Sequence, residues 1–416
     1  MSSVFPQLLG RLTLVDLLLL LAVVVIVPLG LRLLPFAGQR SRQLLRLATA
    51  VQPLGAAAAV VSFLLPTGWT AGAIALLWLL TCAIASLAGL VDLIERRSIR
   101  PAALVPAAAA GFLSVGAGWL VISRAGLQPQ GFSHEIVELT AVHFHYAGFA
   151  ATLMAGLLMV ALRDRGWLAG YAAGAGMLIV LGVPTTAAGI VTGSGALTVA
   201  GPVLLGLGVL SNAGLTAFAI APRLRPTMGR WLLWISAAGV LVPMLLGVDY
   251  ALSRVMPIPA LDLRAMALIH GDLNALVFSL CGLLGWTLAR RPETVDISRP
   301  AAATTRKLVW SALFLAVGGP CAFLALEGAG IPYVLLVLAG LIWLGRRHGW
   351  LPELLTAFGL SYFTGIAWWA VPAVSSSLIE QQPLGAAYFA AHLAVASTIL
   401  LSGVLLLGRR RSVALG

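Results

Sequence analysis

Apolar runs of about 20 residues recur along the whole chain, and they restrict the possible folds more than any other feature. Of the 416 residues, 60% are hydrophobic and 10% are charged, whereas soluble domains carry about 25% charged residues. Each run is long enough to cross ~30 Å of hydrocarbon as a helix, in which every backbone group is hydrogen-bonded internally. The sequence therefore predicts an all-α fold, a polytopic transmembrane helical bundle whose main partner is the lipid bilayer.

Charge separates the loops into two alternating sets. One set, with Arg32, holds 22 of the 26 basic residues, and the other holds Arg11, Arg124, Arg254 and Arg264. Because cytoplasmic loops are enriched in Lys and Arg, we predict an N-terminus outside and a C-terminus in the cytoplasm. The pattern gives about 13 spans, near residues 13–35, 47–65, 68–94, 103–123, 135–162, 166–190, 196–220, 230–248, 263–289, 308–326, 331–345, 352–373 and 386–407.

The net charge of +12 is a topology signal in this chain, because the basic residues lie in short loops between spans. No nucleic acid partner is expected. Lys307 is the single Lys among the 26 basic residues, which is typical of a GC-rich bacterial genome. We therefore predict a multi-pass protein of the bacterial cytoplasmic (inner) membrane.

The segment 290–307 is the longest stretch predicted to lie outside the membrane on the cytoplasmic side. It divides the chain into a nine-span membrane domain, residues 1–299, and a C-terminal four-span membrane unit, residues 300–416. Neither this stretch nor the outer loop 249–262 is long enough to form a soluble domain.

Four of the six histidines fall inside predicted spans: His143 and His145, His270, and His392. Ionisable groups in a bilayer are costly and usually face the bundle interior, so each is a functional candidate. Counted from the helix starts at 1.5 Å per residue, His143, His270 and His392 lie about 15, 12 and 14 Å into spans that run in the same direction. Similar depth allows these positions to converge on one centre.

The pair His143 and His145 is spaced by two residues, so the side chains point about 200° apart on a helix. They either serve two centres on opposite faces, or one ligates while the other forms a hydrogen bond. The face of His145 continues through Gly148, Thr152 and Ala155, which leaves room for a close helix neighbour or a flat cofactor. Neutral imidazole is a common ligand of zinc, copper and iron, including haem iron. We therefore predict haem, copper or iron as a candidate cofactor, with His143, His145 and His270 as cofactor and metal ligands.

Five further residues are candidates for supporting roles at this site. Glu138 shares a stripe with His145 and is expected to orient its ring or to pass protons. Asn274 follows His270 by one turn and is expected to fix that ring, while Asp272 is expected to pair with an Arg such as Arg264. Tyr146 and His392 complete the set.

The segments Leu139-Thr140-Ala141-Val142-His143-Phe144-His145-Tyr146 and His270-Gly271-Asp272-Leu273-Asn274 resemble the YndJ-like family of bacterial membrane proteins. The resemblance covers roughly residues 40–290 and implies no settled chemistry. The stretch His143-Phe144-His145-Tyr146 is also similar to the HFHY stretch of haem-copper oxidase subunit I. That similarity implies two histidines ligating two haems from opposite faces, although the chain has no adjacent His-His pair for copper.

Three functions remain open from the sequence. The first is a redox or sensor protein that binds haem or metal and works with a redox or membrane protein partner. The second is a proton-coupled transporter or permease, in which the histidines and Glu138 relay protons, and the third is a structural membrane partner without cofactor. The sequence has no P-loop, GxGxxG, HExxH or GxSxG signature in a plausible context, and its three cysteines form no CxxC pair. Catalytic residues therefore stay unassigned, and enzymatic activity is left open.

Overall fold

The computed structural model describes residues 7–9, 12–224, 228–289, 311, 314 and 331–362. The chain divides into two compact units. The first contains residues 1–258 and 262–297, and the second contains residues 259–261 and 298–416. The division into a nine-span and a four-span membrane unit stays a prediction.

The first unit begins with a short antiparallel hairpin, β1 (Gln7–Leu9) and β2 (Leu12–Thr13). Nine helices of its described residues are long and apolar enough to cross a membrane. They are α1 (Leu14–Leu31), α2 (Gln39–Leu64), α3 (Trp69–Arg96), α4 (Pro101–Arg124), α5 (His134–Leu162), α6 (Trp167–Thr192), α7 (Gly195–Arg223), α8 (Met228–Ser253) and α9 (Leu263–Ala289). A helix therefore lies at each of the first nine predicted spans, whereas the total of about 13 spans and the orientation stay predictions.

Helix α2 begins at Gln39, eight residues before the apolar run that predicted a span near 47–65. Its polar first turn is fixed by two carboxylates at the end of α3. Asp92 accepts hydrogen bonds from the backbone N–H groups of Ala37 and Gly38, both at 2.9 Å, and Glu95 accepts one from the N–H of Arg40 at 2.9 Å. These carboxylates satisfy N–H groups that a helix start leaves without partners, which explains why the helix extends beyond its apolar part.

Helices adjacent in sequence pack as hairpins, including α2 with α3, α3 with α4, α6 with α7 and α8 with α9. Small residues bring the backbones close together, as is common in membrane bundles. A Cβ on Gly182 of α6 would lie 2.6 Å from the backbone nitrogen of Leu205 on α7. Helix α5 contacts α1, α4, α6 and α9, and its most apolar stretch is 83% buried. It therefore forms the centre of this unit.

Three of the helices change to π-helical hydrogen bonding where they meet. The π segments are Ala22–Ile26 on α1, Phe144–Ala151 on α5, and Ala267–Gly271 and Leu273–Leu280 on α9. The segments of α1, α5 and α9 contact one another. Because π turns in α-helices occur frequently at functional sites, this junction is a candidate location for a functional site.

The described part of the second unit contains α10 (Ile331–His348) and a helical stretch over residues 351–362. Gly349 lies between them with φ of 66°, the left-handed conformation that commonly ends a helix. Helix α10 lies where a span was predicted near 331–345. The predicted span near 386–407 and His392 lie outside the described residues, as do residues 363–373 of the span near 352–373 and all but residues 311 and 314 of the span near 308–326.

Candidate functional site

His145 occupies a closed slot between α3, α4 and α5 and is fully buried. Its Nδ1–H donates to the carbonyl of Ala141 at 2.8 Å, and its Nε2 accepts a hydrogen bond from the indole N–H of Trp78 at 3.2 Å. A Cβ on Gly116 of α4 would lie 2.8 Å from Nδ1, so only glycine leaves space for the ring. Both ring nitrogens are used, which fixes one tautomer and leaves no lone pair for a metal.

Helix α4 covers the small-residue face that continues from His145. A Cβ on Gly148 would lie 2.9 Å from Cβ of Phe112, and a Cβ on Gly156 would lie 3.0 Å from Pro106. The sequence left two alternatives for this face, a close helix neighbour or a flat cofactor. The structure shows the helix neighbour and leaves no space there for a flat cofactor.

His143 and His270 form a pair across the α5–α9 interface, with ring centres 6.2 Å apart. The Nδ1–H of His143 donates to the carbonyl of Leu139, and that of His270 donates to the carbonyl of Pro243 on α8, each at 2.7 Å. A Cβ on Gly247 would lie 3.2 Å from Cε1 of His270, so α8 supports this ring from behind. The side chain of His143 is exposed and that of His270 is half-buried.

The two Nε2 atoms of this pair have no hydrogen-bond partner among the described residues. The prediction that His143 and His145 face opposite sides is confirmed, since His143 lies against α9 and His145 against α3. The three predicted ligands do not converge on one centre, however. In the part of the chain that the structure describes, no group of three or more His, Cys, Asp or Glu side chains could hold a metal ion.

A second polar cluster lies nearer the Arg-poor end of α1 and α5. The carboxyl groups of Asp16 and Glu138 lie close enough to interact electrostatically, and their residues are 7% and 4% exposed. Thr13 caps α1 by donating its N–H at 2.8 Å and its hydroxyl at 2.9 Å to Oδ2 of Asp16. Nε2 of His134, at the start of α5, lies 3.9 Å from Oε1 of Glu138. We call Asp16 and Glu138 the acid pair.

Arg124, at the end of α4, is the buried cation of this cluster and interacts electrostatically with both members of the acid pair. The residue is 5% exposed. Its guanidinium donates to the carbonyls of Ser62 at 3.2 Å and Leu65 at 3.0 Å, and it lies 4.7 Å from the centre of the Phe63 ring. These contacts satisfy the carbonyl end of α2 and hold the positive charge in place.

The acid pair can hold a proton, because one carboxyl group in its protonated form can donate a hydrogen bond to the other. Two ionised carboxylates at this separation repel strongly in a buried environment. With one proton on the pair, the remaining negative charge is balanced by Arg124. The arrangement is therefore neutral with one shared proton and carries an uncompensated negative charge without it.

Tyr146 ties α5 to α1, since its hydroxyl donates to the carbonyl of Leu18 at 2.8 Å. The carboxylate of Asp272 lies near enough to interact with this phenol electrostatically. The predicted pairing of Asp272 with Arg264 is wrong, because no ion pair joins these two described residues. Asp272 instead faces the junction of the π segments.

Two predicted supporting contacts also differ from the structure. Asn274 donates to the main-chain carbonyl of His270 at 2.9 Å and does not contact its ring, which Pro243 fixes. Glu138 lies in the acid pair and does not orient His145. The π segment that begins at Phe144 adds a residue to the turn, so positions seven apart no longer share a face.

Known proteins are similar to the same part of the molecule. The model of a family described as YndJ-like protein matches residues 17–278, which is more than half of the chain and includes both histidine segments. The chain belongs to the YndJ-like family. The uncharacterized membrane protein YndJ of Bacillus subtilis (strain 168) is 25% identical over 182 residues, which cover 42% of this chain and 31% of that protein. No solved structure matches the chain.

The match extends the YndJ-like resemblance to include most of α1, and Asp16 lies directly before the first matched residue. This YndJ-like chain spans 31% of the length of the Bacillus subtilis relative that it matches. The similarity to haem-copper oxidase subunit I rests on four residues and stays a prediction from sequence.

Three residues of these sites are not identified as site residues from the sequence. Trp78 lies in an apolar run where one Trp is unremarkable, and no local pattern indicates that α3 contacts α5. Arg124 reads as a loop charge, although its place at the last residue of an apolar run is a usable signal. Asp16 lies in the first predicted span, but nothing in the sequence joins it to Glu138.

Proposed function

We propose that this YndJ-like protein is a proton-coupled membrane transporter in which the acid pair binds the coupling proton. One observation carries the proposal. Two carboxyl groups from different helices, each more than nine-tenths buried, interact with each other beside a buried guanidinium. Ionisable groups inside membrane bundles typically mark proton relays and solute pathways.

The charge balance of the cluster favours reversible uptake of one proton. Arg124 compensates one carboxylate, and the second carboxyl needs a proton because uncompensated charge in a buried site is costly. Removing that proton therefore changes the net charge inside the bundle by one unit. A charge change at the junction of α1, α4 and α5 is the type of event that biases helix packing in a transport cycle.

Helix α5 supplies groups that can exchange protons at successive depths. His134 is 36% exposed at the mouth of the helix and contacts the acid pair. His143 lies nine residues further on, about 13 Å at 1.5 Å per residue, and its ring centre is 6.2 Å from that of His270. Protons entering from the Arg-poor side would therefore meet the acid pair before the histidine pair.

The Arg-rich loops favour a cytoplasmic location for the opposite side. This supports insertion in a bacterial cytoplasmic membrane with the acid pair in the outer half of the bilayer. Protons would then enter from outside, the direction in which a bacterial proton gradient drives uptake.

A pH jump applied to proteoliposomes on a solid-supported membrane tests the proposal without a known solute. The wild-type protein is expected to give a transient charge displacement as the acid pair binds protons. Glu138→Gln is expected to reduce this signal to the level of protein-free liposomes. Asp164→Asn, which removes an exposed carboxylate in the α5–α6 loop, is the matched control and should keep it. A wild-type signal in the Glu138 variant would contradict the proposal.

A second candidate function, metal or haem binding, is favoured by the geometry of His143 and His270. Ligating histidines usually donate the second ring N–H to a carbonyl or carboxylate. Both residues do so here, and their Nε2 atoms have no hydrogen-bond partner among the described residues. A metal–nitrogen bond is about 2 Å, so two imidazoles on opposite sides of one ion have ring centres about 6 Å apart. The observed 6.2 Å fits a two-histidine site for copper or iron, including haem iron.

Metal analysis and an absorption spectrum of the purified protein test this second function. Stoichiometric copper or iron, or a Soret band, is expected in the wild type and in His145→Ala, because the ring of His145 faces away. The signal is expected to be lost in His143→Ala and in His270→Ala. A metal-free and colourless wild-type protein, or equal loss in all three variants, would contradict a site built on the 143–270 pair.

A further inference from the structure

An open cavity of about 470 Å³ lies at the Arg-rich ends of α1 and α2. Three arginines line it: Arg32 directly after α1, and Arg42 and Arg46 in the first two turns of α2. All three residues are exposed. Pockets of 300–1,000 Å³ are the usual size for small ligands, so this one has room for a charged headgroup.

The three guanidinium groups are not neutralised. None of them makes an ion pair or a side-chain hydrogen bond within the part of the chain that the structure describes. The nearby carboxylates are used elsewhere: Asp92 binds two N–H groups of the α1–α2 loop and pairs with Arg96 at 3.2 Å, and Glu95 binds the start of α2. The pocket therefore presents three positive charges to an external ligand.

The pocket has a charged end and an apolar wall. Arg42, Arg46 and Ala50 are spaced by four residues, so they lie along one face of α2 over about 12 Å. Leu31, Leu34 and Phe36 form the opposite wall. The loop that carries Phe36 is fixed by Asp92 and Glu95, so the shape does not depend on a bound ligand.

We propose that this pocket binds an anionic phospholipid, with its phosphate on the three guanidinium groups and an acyl chain along the apolar wall. Guanidinium groups bind phosphate oxygens with paired N–H donors. Basic pockets between transmembrane helices on the cytoplasmic side bind anionic headgroups. The apolar wall at the end of two membrane helices favours a lipid over a soluble anion, which would gain nothing from it.

Native mass spectrometry with added lipid tests the proposal. The wild-type protein is titrated with phosphatidylglycerol and with phosphatidylcholine, and then with phosphatidylglycerol in the presence of inorganic phosphate. A pocket variant replaces the three arginines by Gln, and a charge-matched control removes three arginines from other Arg-rich loops: Arg97→Gln, Arg100→Gln and Arg165→Gln.

Phosphatidylglycerol is expected to bind the wild type and the control with similar affinity. With each guanidinium contributing on the order of tenfold or less, the pocket variant is expected to bind about 100-fold more weakly. Equal weakening in the control would show a general surface charge and overturn the proposal. Equal binding of phosphatidylcholine, or full competition by inorganic phosphate, would also overturn it. If the pocket variant does not fold, the affinities of the wild type for phosphatidylglycerol and for phosphatidylcholine are compared instead, and tighter binding of phosphatidylglycerol is the expected result.

Discussion

Replacement of Gly116 by Ala is expected to destabilise the protein, whereas replacement of Gly118, two residues later on α4, is expected to stabilise it. Both changes remove a helical glycine, which by itself stabilises a helix by roughly 0.5–1 kcal/mol. They differ in what the new methyl group meets. A Cβ at Gly118 meets nothing within 4 Å, whereas one at Gly116 lies 2.8 Å from Nδ1 and 3.0 Å from Cε1 of His145.

The ring of His145 has no free direction in which to move. It is fully buried, and its two nitrogens are bound by Ala141 and Trp78. Overpacking of this kind costs about 1–3 kcal/mol. Subtracting the helix gain leaves a net destabilisation of up to roughly 2.5 kcal/mol for Gly116→Ala. The difference between the two variants is the overpacking cost alone, about 1–3 kcal/mol.

Reversible unfolding in mixed micelles, followed by tryptophan fluorescence, measures the free energy of unfolding of both variants against the wild type. Comparison within the pair removes the helix-propensity contribution, which is common to both. If Gly116→Ala and Gly118→Ala shift the free energy of unfolding in the same direction by similar amounts, the closed slot around His145 is refuted.

Two further substitutions test buried polar contacts by the same unfolding measurement. Trp78→Phe removes the donor to Nε2 of His145 and is expected to lower the free energy of unfolding by about 1–3 kcal/mol. The control Trp69→Phe, which changes an exposed residue of the same helix, should change it by no more than about 0.5 kcal/mol. Equal effects of the two substitutions would contradict the hydrogen bond. Arg124→Gln removes the counter-charge of the acid pair and is expected to lower the free energy of unfolding by about 3 kcal/mol or more. The control Arg163→Gln, at an exposed position, is expected to change it little. A small effect of Arg124→Gln would show that the acid pair is not charged.

The helices of the first unit could be predicted because lipid requires long apolar runs and the loops alternate in Arg content. The start of α2 could not be predicted, because the first two turns, from Gln39 to Arg46, are largely polar and their beginning is held by Asp92 and Glu95 from another helix. Hydropathy describes one helix at a time. It does not record carboxylates that a neighbouring helix supplies.

The site was predictable to the extent that it depends on one helix. The two-residue spacing of His143 and His145 correctly placed the rings on opposite faces. Contacts between helices were not predictable: nothing local in the sequence indicates that Trp78 meets His145 or that Asp16 meets Glu138. The stripe argument for Glu138 and His145 failed because it assumed a regular helix, and the π segment changes the phase of α5 at that point.

Infrared spectroscopy of the protein reconstituted in lipid tests most directly whether Asp16 and Glu138 share a proton. The wild type is expected to show a carboxylic acid C=O band at neutral pH. That band should be lost in Glu138→Gln, since Arg124 then balances the charge of the single carboxylate that remains, and should persist in Glu135→Gln, which removes an acid one turn earlier on α5. A wild-type spectrum without the band, or a band that survives Glu138→Gln unchanged, would contradict the shared proton and with it the proposed proton-coupled function.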